Sequence, residues 1–164
     1  PLASAYWRKR VPPSAQMDPD RDRCGLLWCS PVVPNSGTHV TEVTDLAIDL
    51  LLRHGFEPQI SVSLATERSA FCVTTISYDR DVAGEDARAM AAYRELSEVL
   101  IARGYPPYRL NVSAMEYGAD AAGYGEVLRA IKQAVDPNHV LAPGRYAAEA
   151  AAPMVSPEAH VVAV

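Results

Sequence analysis

The chain has 164 residues, 49% of them hydrophobic and 21% charged, with a formal net charge of -5. That composition suits one globular domain of ordinary size, while dispersed Lys and Arg in an acidic chain argue against a nucleic-acid surface. No apolar run reaches the roughly 18 residues of a membrane span, and no basic segment followed by an apolar one opens the chain.

Pro1 stands where a methionine would open a complete reading frame, so a segment is expected ahead of it. Ala3 to Arg10 reads as a short helix or its end, and "VPPSAQMDPDRDR" as an irregular, proline-rich loop; residues 1–22 together form a lead-in. "CGLLWCSPVV", 24–33, is an apolar run bounded by turn residues and predicts a buried strand. Val40, Val43, Leu46, Ala47, Leu50 and Leu51 recur at helical spacing, with Thr38 as the expected cap, Glu42 in the early turns and Gly55 as the stop. "QISVSLA", 59–65, and "AFCVTTISYD", 70–79, are rich in β-branched and aromatic residues and predict strands. Residues 84–104 predict a second long helix, "YRLNVS" a fourth strand, and 124–136 a third helix. The tail 147–164 is of low complexity. Strand, helix, strand, strand, helix, strand is the order of a ferredoxin-like α+β fold, a split βαβ antiparallel sheet with helices on one face.

Candidate chemistry is sparse. Cys24, Cys29 and Cys72 are an odd set without metal spacing, read as reduced cysteines of a cytoplasmic protein. His39 and His54 are fifteen residues apart on one helix and make no metal pair; with His139 in a turn and His160 in the tail, no metal site is expected. Trp28 and Phe71 read as core residues whose strands could line a pocket. Glu67 and Arg68 read as a strand-turn ion pair, with acid/base work as the alternative. In "GYPPYRLNV", a phenol and a permanent cation, Tyr108 and Arg109, follow a stiff Pro106-Pro107.

That stretch, together with "DRCGLLWCSPVVPNSG", "HGFEPQISVSLATERSAFCVTTISYDR" and "AVDPNHVLAPGRY", resembles the C-terminal cap of FAD-linked oxidases, in the branch of vanillyl-alcohol oxidase and p-cresol methylhydroxylase. The resemblance runs over roughly residues 1–146, with a cap domain at 23–146. It implies that Tyr108 and Arg109 bind the phenolic oxygen of a para-alkylphenol, and that Arg145 lies near the N1–C2=O edge of FAD with Gly144 allowing close backbone approach. Ionising such a phenol, with a pKa of about 10, costs on the order of 4 kcal/mol at pH 7, which an arginine offsets by charge-assisted hydrogen bonds. Hydride loss from the benzylic carbon to FAD then gives a quinone methide. The family holds FAD mainly through a separate N-terminal domain, so a FAD-binding domain or subunit is the expected partner, with oxygen or a cytochrome c as electron acceptor. Leu26 stands where histidyl-flavin members carry their histidine, and 18–31 contains no tyrosine for a tyrosyl link. The alternatives are half of a split flavoenzyme, an inactive cap-like binding protein, and a stand-alone metal-dependent ring-cleaving enzyme, which the lack of ligands disfavours.

Overall fold

The computed structural model describes residues 2–109 and 123–143. The long strand β4 (Ser69–Asp79) organises the sheet. One of its edges pairs antiparallel with β3 (Gln59–Leu64), and the other with β1 (Cys24–Cys29) and β2 (Val32–Pro34) in succession. Two residues on either strand lie between the Cys29–Thr74 pair and the Val32–Phe71 pair, so β1 and β2 keep one register across Ser30–Pro31. The expected single strand is therefore interrupted rather than bulged. Pro31 accepts a hydrogen bond from the Cys72 N–H at 3.2 Å but has no N–H to return.

Helices α1 (Gly37–Arg53) and α2 (Glu85–Ala102) cover one face of the sheet. Val43, Ala47, Leu50 and Leu51 of α1 and Ala89, Ala92, Tyr93, Leu96 and Leu100 of α2 are buried, the i, i+3, i+4 spacing of a core-facing stripe. They meet Ala70, Cys72 and Ile76, the alternate residues of β4, all fully buried. Gly25 belongs to the same face: a Cβ there would lie 2.1 Å from the Tyr78 ring, which crosses it from the neighbouring strand. The architecture is the expected α+β antiparallel sheet. Pro107 forms an antiparallel bridge with Pro31 on the outer edge of the β1–β2 strand, the place for a fourth strand, while the rest of "YRLNVS" from residue 110 lies outside the described residues.

Several local expectations shift. The N-terminal helix is a 3-10 turn, Leu2–Tyr6. α1 starts with Ser36 at its N-cap, making no side-chain capping bond, so Thr38 is already inside the helix. Gly55 ends it with φ +74. β3 pairs with β4 alone among the described residues, and Val62 and Leu64 on it are 45% and 73% exposed. The described residues form two compact units, one within 2–109 and the other made of α3 (Tyr124–Val135) and the turn that follows. Among the described residues no helix is long and apolar enough to cross a membrane.

A charged knot closes the core at one end. Glu85, 3% exposed, accepts Arg8 at 2.7 Å and Arg88 at 2.9 Å on one oxygen, and the Asp79 N–H at 2.6 Å on the other. Both guanidinium groups lie over the Phe56 ring, 5.1 and 5.2 Å from its centroid. Replacing Glu85 by Ala strips the half-buried Arg8 of one partner and leaves the buried Asp79 N–H unsatisfied. Glu85→Ala is expected to destabilise the chain by about 3 kcal/mol, and Glu85→Gln, which keeps an acceptor for Asp79, by less. Urea unfolding checks this; an unchanged midpoint for Glu85→Ala would refute it.

Candidate functional site

The helix-covered face of the sheet uses up the even-numbered residues of β4. The other face takes Phe71, Val73 and Thr75, and by register their neighbours Val32 and Trp28 from one side and Ser61, Ser63 and Gln59 from the other. The 3-10 turn Leu2–Tyr6 packs on the far end of this face, where the Ser77 hydroxyl donates to the Ser4 carbonyl at 3.2 Å, and neither α1 nor α2 covers its part around Phe71. Trp28 is 63% exposed on it, not a core residue as its apolar run suggested, and Phe71 is half-buried.

Residues 104–109 lay the Tyr-Arg pair beside that face. Gly104 turns the chain off α2 with φ +83, and Tyr105 N–H returns to Leu100 C=O at 2.9 Å. Val32 N–H donates to Pro106 C=O at 2.9 Å, and Tyr108 N–H donates to Ser30 C=O at 3.1 Å. These bonds use the backbone groups that Ser30 and Val32 direct away from β4. Alternation then sends Pro107 toward the helices, where it lines a void of about 10 Å³ with Cys29, Pro31, Ser97, Leu100 and Tyr105. It sends Tyr108 to the open face, where its ring contacts Phe71 with centroids 5.0 Å apart. Arg109 is exposed, its guanidinium 5.6 Å from the Tyr108 centroid. The result is a flat aromatic and aliphatic wall, Trp28, Val32, Phe71 and Tyr108, with one cation at its rim. Such a surface can stack a planar ring and accept an anionic oxygen.

Behind the segment stands a polar cluster that the sequence did not announce. Tyr105, 5% exposed, donates its hydroxyl to Glu42 at 2.6 Å, and Arg103 binds the other Glu42 oxygen at 2.9 Å. His39 Nδ1 lies 2.8 Å from the Tyr105 hydroxyl. The Tyr105 and Arg103 bonds hold Glu42 below the usual carboxylate range, and Glu42 pushes Tyr105 above the usual phenol range.

The remaining candidates fall away from the wall. Cys24 and Cys29 lie at opposite ends and on opposite faces of β1, about 16 Å apart along a strand, too far for a disulfide. Glu67 and Arg68 are exposed in the β3–β4 turn and make no ion pair with each other; their carbonyls accept Asn35 at 3.3 and 2.9 Å. His54 meets Glu95 of α2 at 2.7 Å. A groove of about 310 Å³ beside Tyr6 and Pro12 contains Lys9, Asp22 and Asp81, all already engaged in ion pairs. Among the described residues no three His, Cys, Asp or Glu side chains come together as metal ligands.

In the second unit, Asp136 folds the turn after α3. Its carboxylate, 3% exposed, accepts the N–H groups of Val140 at 3.0 Å and Leu141 at 2.9 Å, and binds Lys132 one helical turn back. This carboxylate shapes the "DPNHVLAP" approach to Gly144 and Arg145, which themselves lie outside the described residues. The Asp-Pro-Asn sequence is the signal that could have identified it. The Lys132 ammonium holds the Asp136 carboxyl down to about 2, with burial opposing and the two N–H groups assisting.

No family model matches the chain. It is 49% identical over 146 residues to 1'-carboxy-chondrochloren decarboxylase of Chondromyces crocatus, covering 88% of this chain and 27% of that protein. It is 34% identical over 125 residues to the 4-cresol dehydrogenase [hydroxylating] flavoprotein subunit of Pseudomonas putida, covering 74% and 23%. Among solved structures, p-cresol methylhydroxylase with substrate bound matches with a TM-score of 0.68 and 31% identity over 76% of this chain and 24% of that one. A 4-ethylphenol oxidase from Gulosibacter chungangensis in complex with isoeugenol matches with a TM-score of 0.66 over the same shares, at 21% identity, a likeness of fold alone. The chain spans about a quarter of the length of the curated relatives it matches.

The Asp136 turn gives a test in acid. Its folded-state pKa of about 2 lies below the roughly 3.9 of an unfolded aspartate, so its contribution is complete above roughly pH 5 and is lost as the pH falls through about 2. Amide exchange at Val140 and Leu141, corrected for its intrinsic pH dependence, is expected to accelerate between pH 5 and 2. In Asp136→Asn it should be fast already at pH 5. Equal protection at both pH values in the unsubstituted chain would show that the carboxylate does not hold the turn.

Proposed function

We propose that the chain, a cap-like domain of the vanillyl-alcohol oxidase and p-cresol methylhydroxylase family, supplies the phenol-binding wall of a flavin-dependent oxidoreductase. The observation that carries this reading is the contact of the Tyr108 ring with Phe71 on the open sheet face and of the Arg109 guanidinium with the Tyr108 ring, in a chain 34% identical to a 4-cresol dehydrogenase flavoprotein subunit. The wall fits a planar ring system. The described residues fit a pyrophosphate poorly: their glycines are scattered singly, and the first turn of α2 carries Glu85 and Asp86. FAD would therefore be held chiefly by a partner domain or subunit, with Gly144 and Arg145 as this chain's contribution near the flavin ring.

When bound, FAD supplies the acceptor for a hydride. The work of this chain is to bind and ionise the phenol. Arg109 presents a planar, permanently charged donor to the phenolic oxygen, Tyr108 a second donor, and the aromatic wall excludes water and strengthens both. The phenolate pushes electron density toward its para carbon, so the benzylic hydride departs and the substrate becomes a quinone methide. Addition of water gives an alcohol; loss of a proton gives an alkene.

The 49% identity to a decarboxylase favours a second outcome at the same site. If the carbon next to the benzylic position carries a carboxylate, the C–COO⁻ electron pair flows into the quinone methide. Carbon dioxide leaves and a vinylic phenolate results. Binding, ionisation and hydride loss are unchanged; the substituent decides the ending.

In the full-length enzyme, Arg109→Ala is expected to raise the pKa of a bound para-substituted phenol and to reduce turnover on the order of 10²-fold, the scale for removing one preorganised charge donor. Arg109→Lys should recover part of the loss, and Tyr108→Phe should show a smaller effect of the same sign. Absorbance titration of the bound phenol and steady-state rates measure both. An Arg109→Ala enzyme with unchanged bound pKa and turnover would sink the reading. Carbon dioxide released per flavin reduced, with 3-(4-hydroxyphenyl)propanoate against 4-ethylphenol, separates the two endings.

A further inference from the structure

We propose that Glu42, acting through Tyr105, is a positioning residue for the Tyr108–Arg109 pair, and that His39 fixes the direction of the hydrogen bonds between them; this rests on the phenol-binding reading above.

The argument starts at Gly104. A glycine at φ +83 sits where α2 hands the chain to the wall, and glycine alone sets no direction. The side chains on either side of it set one. Arg103 and Tyr105 both bind Glu42, at 2.9 and 2.6 Å on different oxygens, so one carboxylate on α1 grips the chain before and after the turn. Beyond Tyr105 the backbone has little freedom left. Pro106 and Pro107 fix their own φ angles, and the Val32–Pro106 and Ser30–Tyr108 hydrogen bonds take up the next positions. The attitude of Tyr105 is thus passed along three residues to the Tyr108 ring and the Arg109 guanidinium.

The hydrogen bonds can run only one way. An ionised Glu42 has no proton to give, so the one hydroxyl proton of Tyr105 lies on the 2.6 Å bond to Glu42. The 2.8 Å contact to His39 must then be a donation from Nδ1 to the Tyr105 oxygen. His39 also meets the Tyr105 ring edge-on, centroids 5.8 Å apart. An apolar side chain in place of Tyr105 could fill the same space, but it would not fix rotation of the segment about its own axis. Two short hydrogen bonds from α1 do.

The test uses the full-length, flavin-loaded enzyme with Tyr105→Phe, Glu42→Ala, Glu42→Gln and Arg109→Ala. Tyr105→Phe and Glu42→Ala are expected to lower kcat about 10-fold, less than outright loss of the cation and typical of a misplaced group, and to raise the pKa of a bound para-substituted phenol. Glu42→Gln, which still accepts from Tyr105, should retain most of the wild-type kcat and bound pKa. If Arg109→Ala raises the bound pKa while folded Tyr105→Phe and Glu42→Ala leave it and kcat at wild-type values, the cluster is merely structural and the proposal is overturned. If Arg109→Ala also leaves the bound pKa unchanged, the phenol assignment fails, and the positioning role with it. Should the variants not fold, ¹⁵N chemical shifts of His39 in the wild-type enzyme decide: a protonated Nδ1 is expected, and an unprotonated one would overturn the proposal.

Discussion

The alternation of β4 is the constraint from which the rest of the sheet takes its form. Because it pairs on both edges, its side chains define the two faces for every neighbour. Ala70, Cys72, Thr74 and Ile76 go under the helices, fully buried. Phe71, Val73 and Thr75 are left to the face opposite α1 and α2. A one-residue slip would send the apolar set to solvent and the aromatic wall into the core, so the same register specifies both stability and site.

The break at Pro31 connects that sheet to the Tyr-Arg pair. Proline keeps its carbonyl bond to Cys72 on the β4 side, while Ser30 and Val32 offer their backbone groups outward to Tyr108 and Pro106. The Tyr-Arg pair is thereby seated by the sheet's own hydrogen-bonding pattern rather than by a loose loop. This is how a cap-like domain covering about a quarter of its relatives' length still holds the pair in a defined place.

Much of the fold was legible because it rests on local periodicity. The spacing in Val43, Ala47, Leu50 and Leu51 and the β-branched runs of β3 and β4 each dictate their element within a few residues. What periodicity cannot tell is which face of a strand another element will cover, and so Trp28 read as core although it lies 63% exposed on the open side. Nor can it join distant residues. Glu42 and Tyr105 are 63 positions apart, and alone each looks ordinary: an acid near a helix start, an aromatic after a helix stop. Asp136 hid for the opposite reason, within a stretch noticed for its Pro-Gly turn rather than for the carboxylate that shapes the approach to it. The Tyr108–Arg109 pair stood out because a cation beside a phenol after two prolines is chemically odd, and through a family resemblance that periodicity does not supply.

The outer edge of β3 bears on how this polypeptide behaves by itself. Gln59–Leu64 holds no lysine, proline or bulge, the usual guards of a strand edge, and it carries exposed Val62 and Leu64. Left open, such an edge recruits whatever extended chain comes near, including another copy of itself. Colloidal behaviour, not thermodynamic fragility, would then govern the isolated domain, and its solubility would fall with concentration even while every molecule remained folded.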